Sequence, residues 1–179
     1  MPDFVTPTMI LAAWALAGYL LGSIPFGIVV ARLMGLGDLR QIGSGNIGAT
    51  NVLRTGSKPG AALTLIADAG KAGAAVLLAR ALVADDAAQL AGLAAFFGHC
   101  YPIWLKFRGG KGVSTFFGLL FALAWPIGLA AGATWLIIAA IFRYSSLAAL
   151  VTATLTPLFM IILSQSQLLT LSIALTLLI

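Results

Sequence analysis

The sequence predicts an all-α integral membrane protein of about seven transmembrane helices, and three observations carry that reading. Hydrophobic residues make up 61% of the 179-residue chain and the mean hydropathy is +1.07, well above the range of soluble domains. Apolar runs of helical length fill nearly the whole chain without the alternation of lipid-facing strands, so helices and not a barrel are implied. Eight of the ten Lys and Arg (Arg32, Arg40, Arg54, Lys58, Lys106, Arg108, Lys111 and Arg143) fall in or beside three interhelical loops. If those loops share a side, the positive-inside rule makes it cytoplasmic and puts the N-terminus, with Asp3 and no basic residue, outside. No separate soluble domain fits, and residues 1–179 read as a single polytopic membrane domain with no nucleic-acid partner.

The first apolar run, from about Pro7 to Met34, lacks a basic leader and a small-residue cleavage site before polar sequence, so it reads as a retained helix running inward. A second helix from about Pro59 to Val83 runs outward, Asp85 and Asp86 form a short outer turn, and a third helix from about Ala88 to Leu105 returns. The stretch Val113 to Phe142 reads as a hairpin of two short helices turning near Trp125-Pro126, because one long span would leave Arg143 outside and proline ends a helix at the residue before it. An arm of about 13 residues gives only roughly 20 Å of helix against a hydrocarbon core of about 30 Å. Helices from about Ser146 to Leu163 and Gln167 to Ile179 complete seven spans and bring the C-terminus inside. The chain ends at Leu177-Leu178-Ile179 with no charge, Trp or Tyr to anchor the last helix, and further residues are expected beyond it. Trp14, Trp104, Trp125 and Trp135 read as interface anchors, Gly70, Gly73, Gly92 and Gly98 as sites of close helix packing. A single cysteine, Cys100, excludes an intrachain disulfide.

Two loops carry the chemistry. Phe107-Arg108-Gly109-Gly110-Lys111-Gly112-Val113-Ser114-Thr115 gathers two cations, three glycines and two hydroxyls in a chain whose charged fraction is 8%. Glycines let backbone N–H groups turn around phosphate oxygens, Lys111 supplies charge, and Ser114 and Thr115 can donate at the start of the following helix. It is not a Walker A motif, since Lys111 is followed by Gly112. A second cluster, Gly43-Ser44-Gly45-Asn46-Ile47-Gly48-Ala49-Thr50-Asn51 with Arg54 beyond it, offers the same donors.

Within the spans, Asp68 and Lys71 stand at i and i+3, share a helix face and can pair; ionisable residues in a span face a cavity or a partner. His99, the only histidine, precedes the glycine loop by about eight residues at the inner end of the third helix, which makes it an acid/base or phosphate-orienting candidate. Three readings are open on these residues: a membrane enzyme joining a lipid-derived donor to a soluble phosphorylated acceptor, a transporter of a phosphorylated metabolite, and a structural membrane protein. Loops gathered on one side suit the enzyme, and the inverted halves common in transporters are not seen.

Gly22-Ser23-Ile24-Pro25, Asp38 through Arg54, Asp68-Ala69-Gly70-Lys71, Gly98-His99-Cys100-Tyr101-Pro102 through Gly112, and Tyr144-Ser145-Ser146 together resemble the PlsY family of bacterial acyl-phosphate:glycerol-3-phosphate acyltransferases. The resemblance implies transfer of a fatty acyl group from acyl phosphate to the 1-hydroxyl of glycerol 3-phosphate, giving lysophosphatidic acid and phosphate, in the bacterial inner membrane and without cofactor or metal. It implies roles for Ser44 and Arg54 from the first family motif, and for Gly109, Gly110, Lys111 and Gly112 in glycerol 3-phosphate binding. With His99 these give a catalytic set of Ser44, Arg54, His99 and Lys111. The substrate-binding set is Gly43, Gly45, Asn46, Thr50, Asn51, Asp68, Lys71, Lys106, Gly109, Gly110, Gly112, Ser114, Thr115, Ser145 and Ser146. A third family motif, a basic segment with histidine, asparagine and glutamate after the last helix, is absent from residues 1–179.

Acyl phosphate is already an activated mixed anhydride, so no covalent enzyme intermediate is needed, and the His-x-x-x-x-Asp pattern of the other glycerolipid acyltransferases is missing because position 104 is Trp. What remains is to hold two phosphate-bearing substrates together, stabilise the oxyanion and remove the hydroxyl proton. The proton acceptor is His99 or the donor's own phosphate.

The charge pattern makes a prediction on orientation: the loops at 35–58, 106–112 and 143–146 face the cytoplasm together. On a Cys100-free background, a cysteine at Ser57 should be labelled only from the cytoplasmic side; reaction from the periplasm would invert or break this topology.

Overall fold

Pro25 decides how the first apolar run folds. A proline lacks the N–H that a continuing helix would bond, and it restrains Ile24 before it. The computed structural model describes residues 4–179, and the run expected as one helix from Pro7 to Met34 is broken there into α1 (Thr8–Gly22) and α2 (Phe26–Leu33). Side chains from distant elements bond two carbonyls at the break: Trp104 Nε1 donates to Ser23 O at 2.7 Å, and Lys71 Nζ donates at 2.7 Å to Ile24 O, which also accepts from Phe26 N.

Beyond it lie a 3₁₀ turn (Leu39–Gln41), a short α3 (Ala49–Leu53), α4 (Lys58–Leu82) and α5 (Asp85–Cys100). Asp85 and Asp86, expected in the outer turn, form the first turn of α5, where carboxylates suit the helix dipole, and the turn itself is Val83–Ala84. The third span also stops earlier than Leu105: α5 ends at Cys100, and after Pro102 a 3₁₀ turn covers Ile103–Leu105. The chain continues through α6 (Val113–Leu123), α7 (Trp125–Phe142), α8 (Ser145–Ile162), a 3₁₀ turn at Ser166–Leu168 and α9 (Leu169–Leu178). Four stretches, Thr8–Leu33, Lys58–Leu82, Trp125–Phe142 and Ser145–Ile162, are long and apolar enough to cross a membrane, while α5, α6 and α9 are shorter.

The hairpin reading of Val113–Phe142 holds for its turn, but only α6, of 11 residues, is short; α7, of 18 residues, is long enough to cross a membrane. Ala124 is extended (φ −152°, ψ 90°), so the helix is interrupted and not merely kinked, and Phe121 lies against Gly128 and Gly132 of the returning arm. Contacts between residue pairs set the other directions. On α1 and α5, Gly18 meets Ala91 and Gly22 meets Ala95, so they run parallel; on α4 and α6, Ala69 meets Gly118 and Arg80 bonds the Ala122 and Leu123 carbonyls, so these do too. Thr176 Oγ1 donates to Ala153 O between the antiparallel α8 and α9.

Small residues let the backbones approach, as in other membrane helix pairs. A Cβ at Gly18, Gly22 or Gly98 would run into backbone carbonyls across the α1/α5 contact, and one at Gly92 into Val76 and Leu119, so the packing expectation holds for Gly92 and Gly98. Ala72, Ala75, Ala79, Ala87, Ala88, Ala91 and Ala95 are buried in the same core. Trp14 packs against that core and Trp104 bonds the helix break, so neither acts simply as an interface anchor; Trp125 is exposed at the hairpin tip.

Far from the loops, Asp86 clamps the chain before α1 to the start of α5. Its carboxylate accepts from Val5 N (3.0 Å), Thr6 N (2.8 Å), Thr6 Oγ1 (2.8 Å) and Ala87 N (2.8 Å). Burial pushes this carboxyl up, but the hydrogen bonds from Thr6, Ala87 and Val5 outweigh it and hold the group below its ordinary 3.8. A depressed folded value means stabilisation that is present above the unfolded value and lost as pH falls through the folded one. Asp86→Asn should therefore lower Tm at neutral pH and flatten the decline of Tm in acid. An identical acid decline in both proteins would discount the clamp.

Candidate active site

The 43–51 loop is built by its own asparagines. Asn51, buried, donates through Nδ2 to Leu39 O (2.9 Å) and Asn46 O (2.7 Å) and accepts from Ser44 N (3.2 Å), while Asn46 Oδ1 accepts from Gly48 N (2.9 Å). Gly43 is left-handed (φ 53°), and a Cβ there would strike Asn51 Oδ1 and the Arg54 side chain. The loop is seated from below by α2: a side chain at Gly27 would collide with the carbonyl of buried Ile47. Both amide groups of Asn51 and the side-chain oxygen of Asn46 are thus spent on backbone, whereas Ser44, Thr50 and Arg54 stand exposed around the loop.

The glycine loop is zipped onto the end of α5. Gly109 N donates to Cys100 O (2.9 Å) and Gly110 N to His99 O (3.0 Å), and any side chain at Gly109 or Gly110 would overlap those carbonyls or the His99 imidazole at Nε2. Gly112 is left-handed (φ 76°) against Phe96 and starts α6. Arg40 joins the two loops, donating to Gly45 O (3.2 Å) and, through Nη2, to Arg108 O. Behind the glycine loop, Asp68 Oδ1 lies 2.9 Å from Lys71 Nζ and 3.5 Å from His99 Nδ1, and all three side chains are buried.

These parts surround one cavity of about 1270 Å³. All four residues expected to be catalytic, Ser44, Arg54, His99 and Lys111, line it, as do Asn46, Thr50, Asn51, Asp68, Gly110, Gly112, Ser114, Ser145 and Ser146 of the expected binding set. Gly43, Gly45, Lys71, Lys106, Gly109 and Thr115 do not. Gly43, Gly45 and Gly109 shape the loops, Lys71 sits behind Asp68, Lys106 is exposed beyond the turn, and Thr115 is fully buried against the core. The N-termini of α6 and α8 both open onto the space, so their free N–H groups and dipoles add to the charges of Arg54 and Lys111.

Away from this polar end the cavity continues as an apolar arm between α4, α6, α7 and α8, lined by Leu65, Ile66, Leu77, Phe117, Phe121, Trp135, Leu136 and Leu150 among others. Several of these are half exposed, which opens the arm sideways. Gly70 belongs here and not to a packing face, since a Cβ there would meet nothing within 4 Å; Gly73 also lines the arm, its packing limited to an ordinary contact with Gly118 O. Trp135 forms part of the wall of this arm. Sequence reasoning missed the arm because its residues differ in no way from lipid-facing ones, and it missed the bridging role of Arg40, which the sequence shows only as one residue of a basic loop and of the 38–54 motif.

Comparison with known proteins decides what this arrangement is. The family profile described as glycerol-3-phosphate acyltransferase matches residues 12–179. The chain belongs to the glycerol-3-phosphate acyltransferase family. Similar members include the glycerol-3-phosphate acyltransferases of Dinoroseobacter shibae, 63% identical over 97% of this chain and 85% of the relative, and of Ruegeria pomeroyi, 60% identical over 100% and 88%. Among solved structures, the glycerol 3-phosphate form of PlsY, an integral membrane glycerol 3-phosphate acyltransferase, superposes with a TM-score of 0.87 at 37% identity, covering 94% of this chain and 85% of that one. Its lysophosphatidic acid form gives 0.86 at 36% identity with the same coverage. The protein is therefore an all-helical integral membrane protein of the acyltransferase family, as the motifs of its loops implied.

Because Arg54 and Lys111 are exposed and hold no folding partner stronger than the 3.5 Å approach of Arg54 to Asn51 among the described residues, their neutral substitution should leave expression and Tm near wild type while strongly reducing acyltransferase activity. A large fall in Tm with activity per folded molecule unchanged would instead make them structural.

Proposed function

We propose that the protein transfers a fatty acyl group from acyl phosphate to the 1-hydroxyl of glycerol 3-phosphate at the cytoplasmic face of a bacterial inner membrane, releasing lysophosphatidic acid and inorganic phosphate. The observation that carries this reading is the shape of this cavity: cations and two helix N-termini at one end, an apolar arm opening sideways at the other. Such a space suits a molecule with a phosphate head and a hydrocarbon tail beside a second phosphate ester. The solved neighbours, described in glycerol 3-phosphate and lysophosphatidic acid forms, support the same pair of acceptor and product.

In this reaction the acceptor oxygen attacks the acyl carbonyl, the carbonyl carbon to phosphate oxygen bond breaks, and the hydroxyl proton leaves with the released phosphate. Arg54 and Lys111 offset the repulsion between the two phosphates, and Ser44, Ser145, Ser146 and the N–H groups at the start of α6 supply donors to phosphate oxygens and to the developing oxyanion. Gly110, Gly112 and Ser114 shape the loop side of the site, and Thr50 the opposite rim. The donor phosphate places a basic oxygen beside the reacting carbonyl, so His99 orients and does not act as the base.

Purified protein mixed with acyl phosphate and glycerol 3-phosphate should form lysophosphatidic acid; uptake of glycerol 3-phosphate into proteoliposomes without acylation would overturn the reading in favour of transport. His99→Gln should retain turnover with less than about a 10²-fold loss, because the amide still hydrogen-bonds. A loss within or above the range of about 10²–10⁴-fold typical of general acid–base catalysis, with both substrates bound at wild-type affinity, would make His99 the base.

A further inference from the structure

The buried trio of Asp68, Lys71 and His99 is built unlike a binding site. Lys71 is committed on both sides, to Asp68 at 2.9 Å and to the Ile24 carbonyl at 2.7 Å, and its side chain does not reach the cavity. Asp68 Oδ1, besides its 2.9 Å contact with Lys71 Nζ, faces His99 Nδ1 at 3.5 Å, and Nδ1 has no closer polar partner among the described residues. On the other edge of the ring, Nε2 fills the room that a side chain at position 110 would need, and the His99 carbonyl receives the Gly110 N–H. The imidazole is thus wedged between a carboxylate fixed in the helix bundle and the backbone of the glycine loop, one residue from Lys111.

We propose that Asp68, anchored by Lys71, is a positioning residue: it orients His99, and the His99 ring edge fixes the path of Gly110 and so the place where Lys111 presents its charge. This deepens the acyltransferase reading and rests on it for the kinetic consequences. It also reassigns Asp68 and Lys71, which the sequence suggested as substrate ligands, to the frame that holds a substrate-facing loop. The arrangement follows the logic by which a carboxylate on one imidazole nitrogen sets what the other nitrogen can do.

The test is a double-mutant cycle read in two ways. In purified protein assayed with acyl phosphate and glycerol 3-phosphate, Asp68→Asn and His99→Gln should each lower kcat/KM by about tenfold, the lower end of the cost of removing groups that orient functional imidazoles. The double variant should lose no more than the worse single one, because Asp68 acts through His99. Hydrogen exchange of the 107–112 segment should quicken to the same extent in all three proteins, with the α1 and α4 segments unchanged. Losses that multiply in the double variant, or loop exchange equal to wild type in Asp68→Asn, would overturn the proposal. Since Asp68→Asn leaves an uncompensated buried ammonium, Asp68→Asn/Lys71→Met removes both charges and keeps the test open if the single variant does not fold; its loop exchange should still exceed wild type. If wild type forms no lysophosphatidic acid, the functional reading fails, while the exchange measurements still decide the role of Asp68.

Discussion

The Lys71 ammonium reaches the Ile24 carbonyl at the α1–α2 break, and it does so from within 2.9 Å of the Asp68 carboxylate. Burying such a pair is costly unless the remaining hydrogen-bonding capacity is used, and here the broken helix supplies the acceptor. Three elements are thereby held to one point: the α1–α2 break, the middle of α4 and, through His99, the end of α5. From the break, α2 carries Gly27 under the 43–51 loop; from α5, His99 and Cys100 carry the glycine loop. Both loops therefore take their positions from the same buried contact, and Arg40 ties their outer ends together.

A division of labour follows among the polar residues. Those whose atoms are satisfied within the protein, such as Asn51 and Lys71, shape the loops, and those left exposed around the cavity, such as Ser44, Arg54 and Lys111, are available to a ligand. The cations sit beside the ends of α6 and α8, whose N–H groups are fixed in direction by the helices behind them. Donors held in this way need no reorganisation when charge develops in front of them, which is the condition for electrostatic stabilisation in a site partly shielded from water.

Much of this was legible in the sequence, and the reasons differ by feature. Composition and run length give the helical membrane fold because a bilayer leaves a chain little other choice. The hairpin at Ala124 was legible from Pro126 and from the parity that Arg143 imposes. The two loops were legible because glycine, cation and hydroxyl clusters are conspicuous in so apolar a chain. The break at Pro25 was not read as a break, since the apolar run continues through it and only the distant partners Lys71 and Trp104 make it tolerable. Gly70 could not be told from Gly92 by spacing alone, although one faces open space and the other Val76 and Leu119. Which asparagines serve the loop and which serve a ligand is likewise a matter of three-dimensional partners, not of residue type.

The sideways opening of the apolar arm gives the cavity two mouths facing two different solvents. In the reaction proposed above, a water-soluble phosphate ester would arrive at the loop end on a molar concentration scale, whereas an acyl donor entering through the side would be counted by its mole fraction among the surrounding lipids. Turnover would then depend on how crowded the bilayer is with donor and not on how much donor the tube contains. Inert lipid or detergent micelles would act as a surface diluent, slowing the reaction at constant total substrate, and a cell could tune such a step through the composition of the membrane itself.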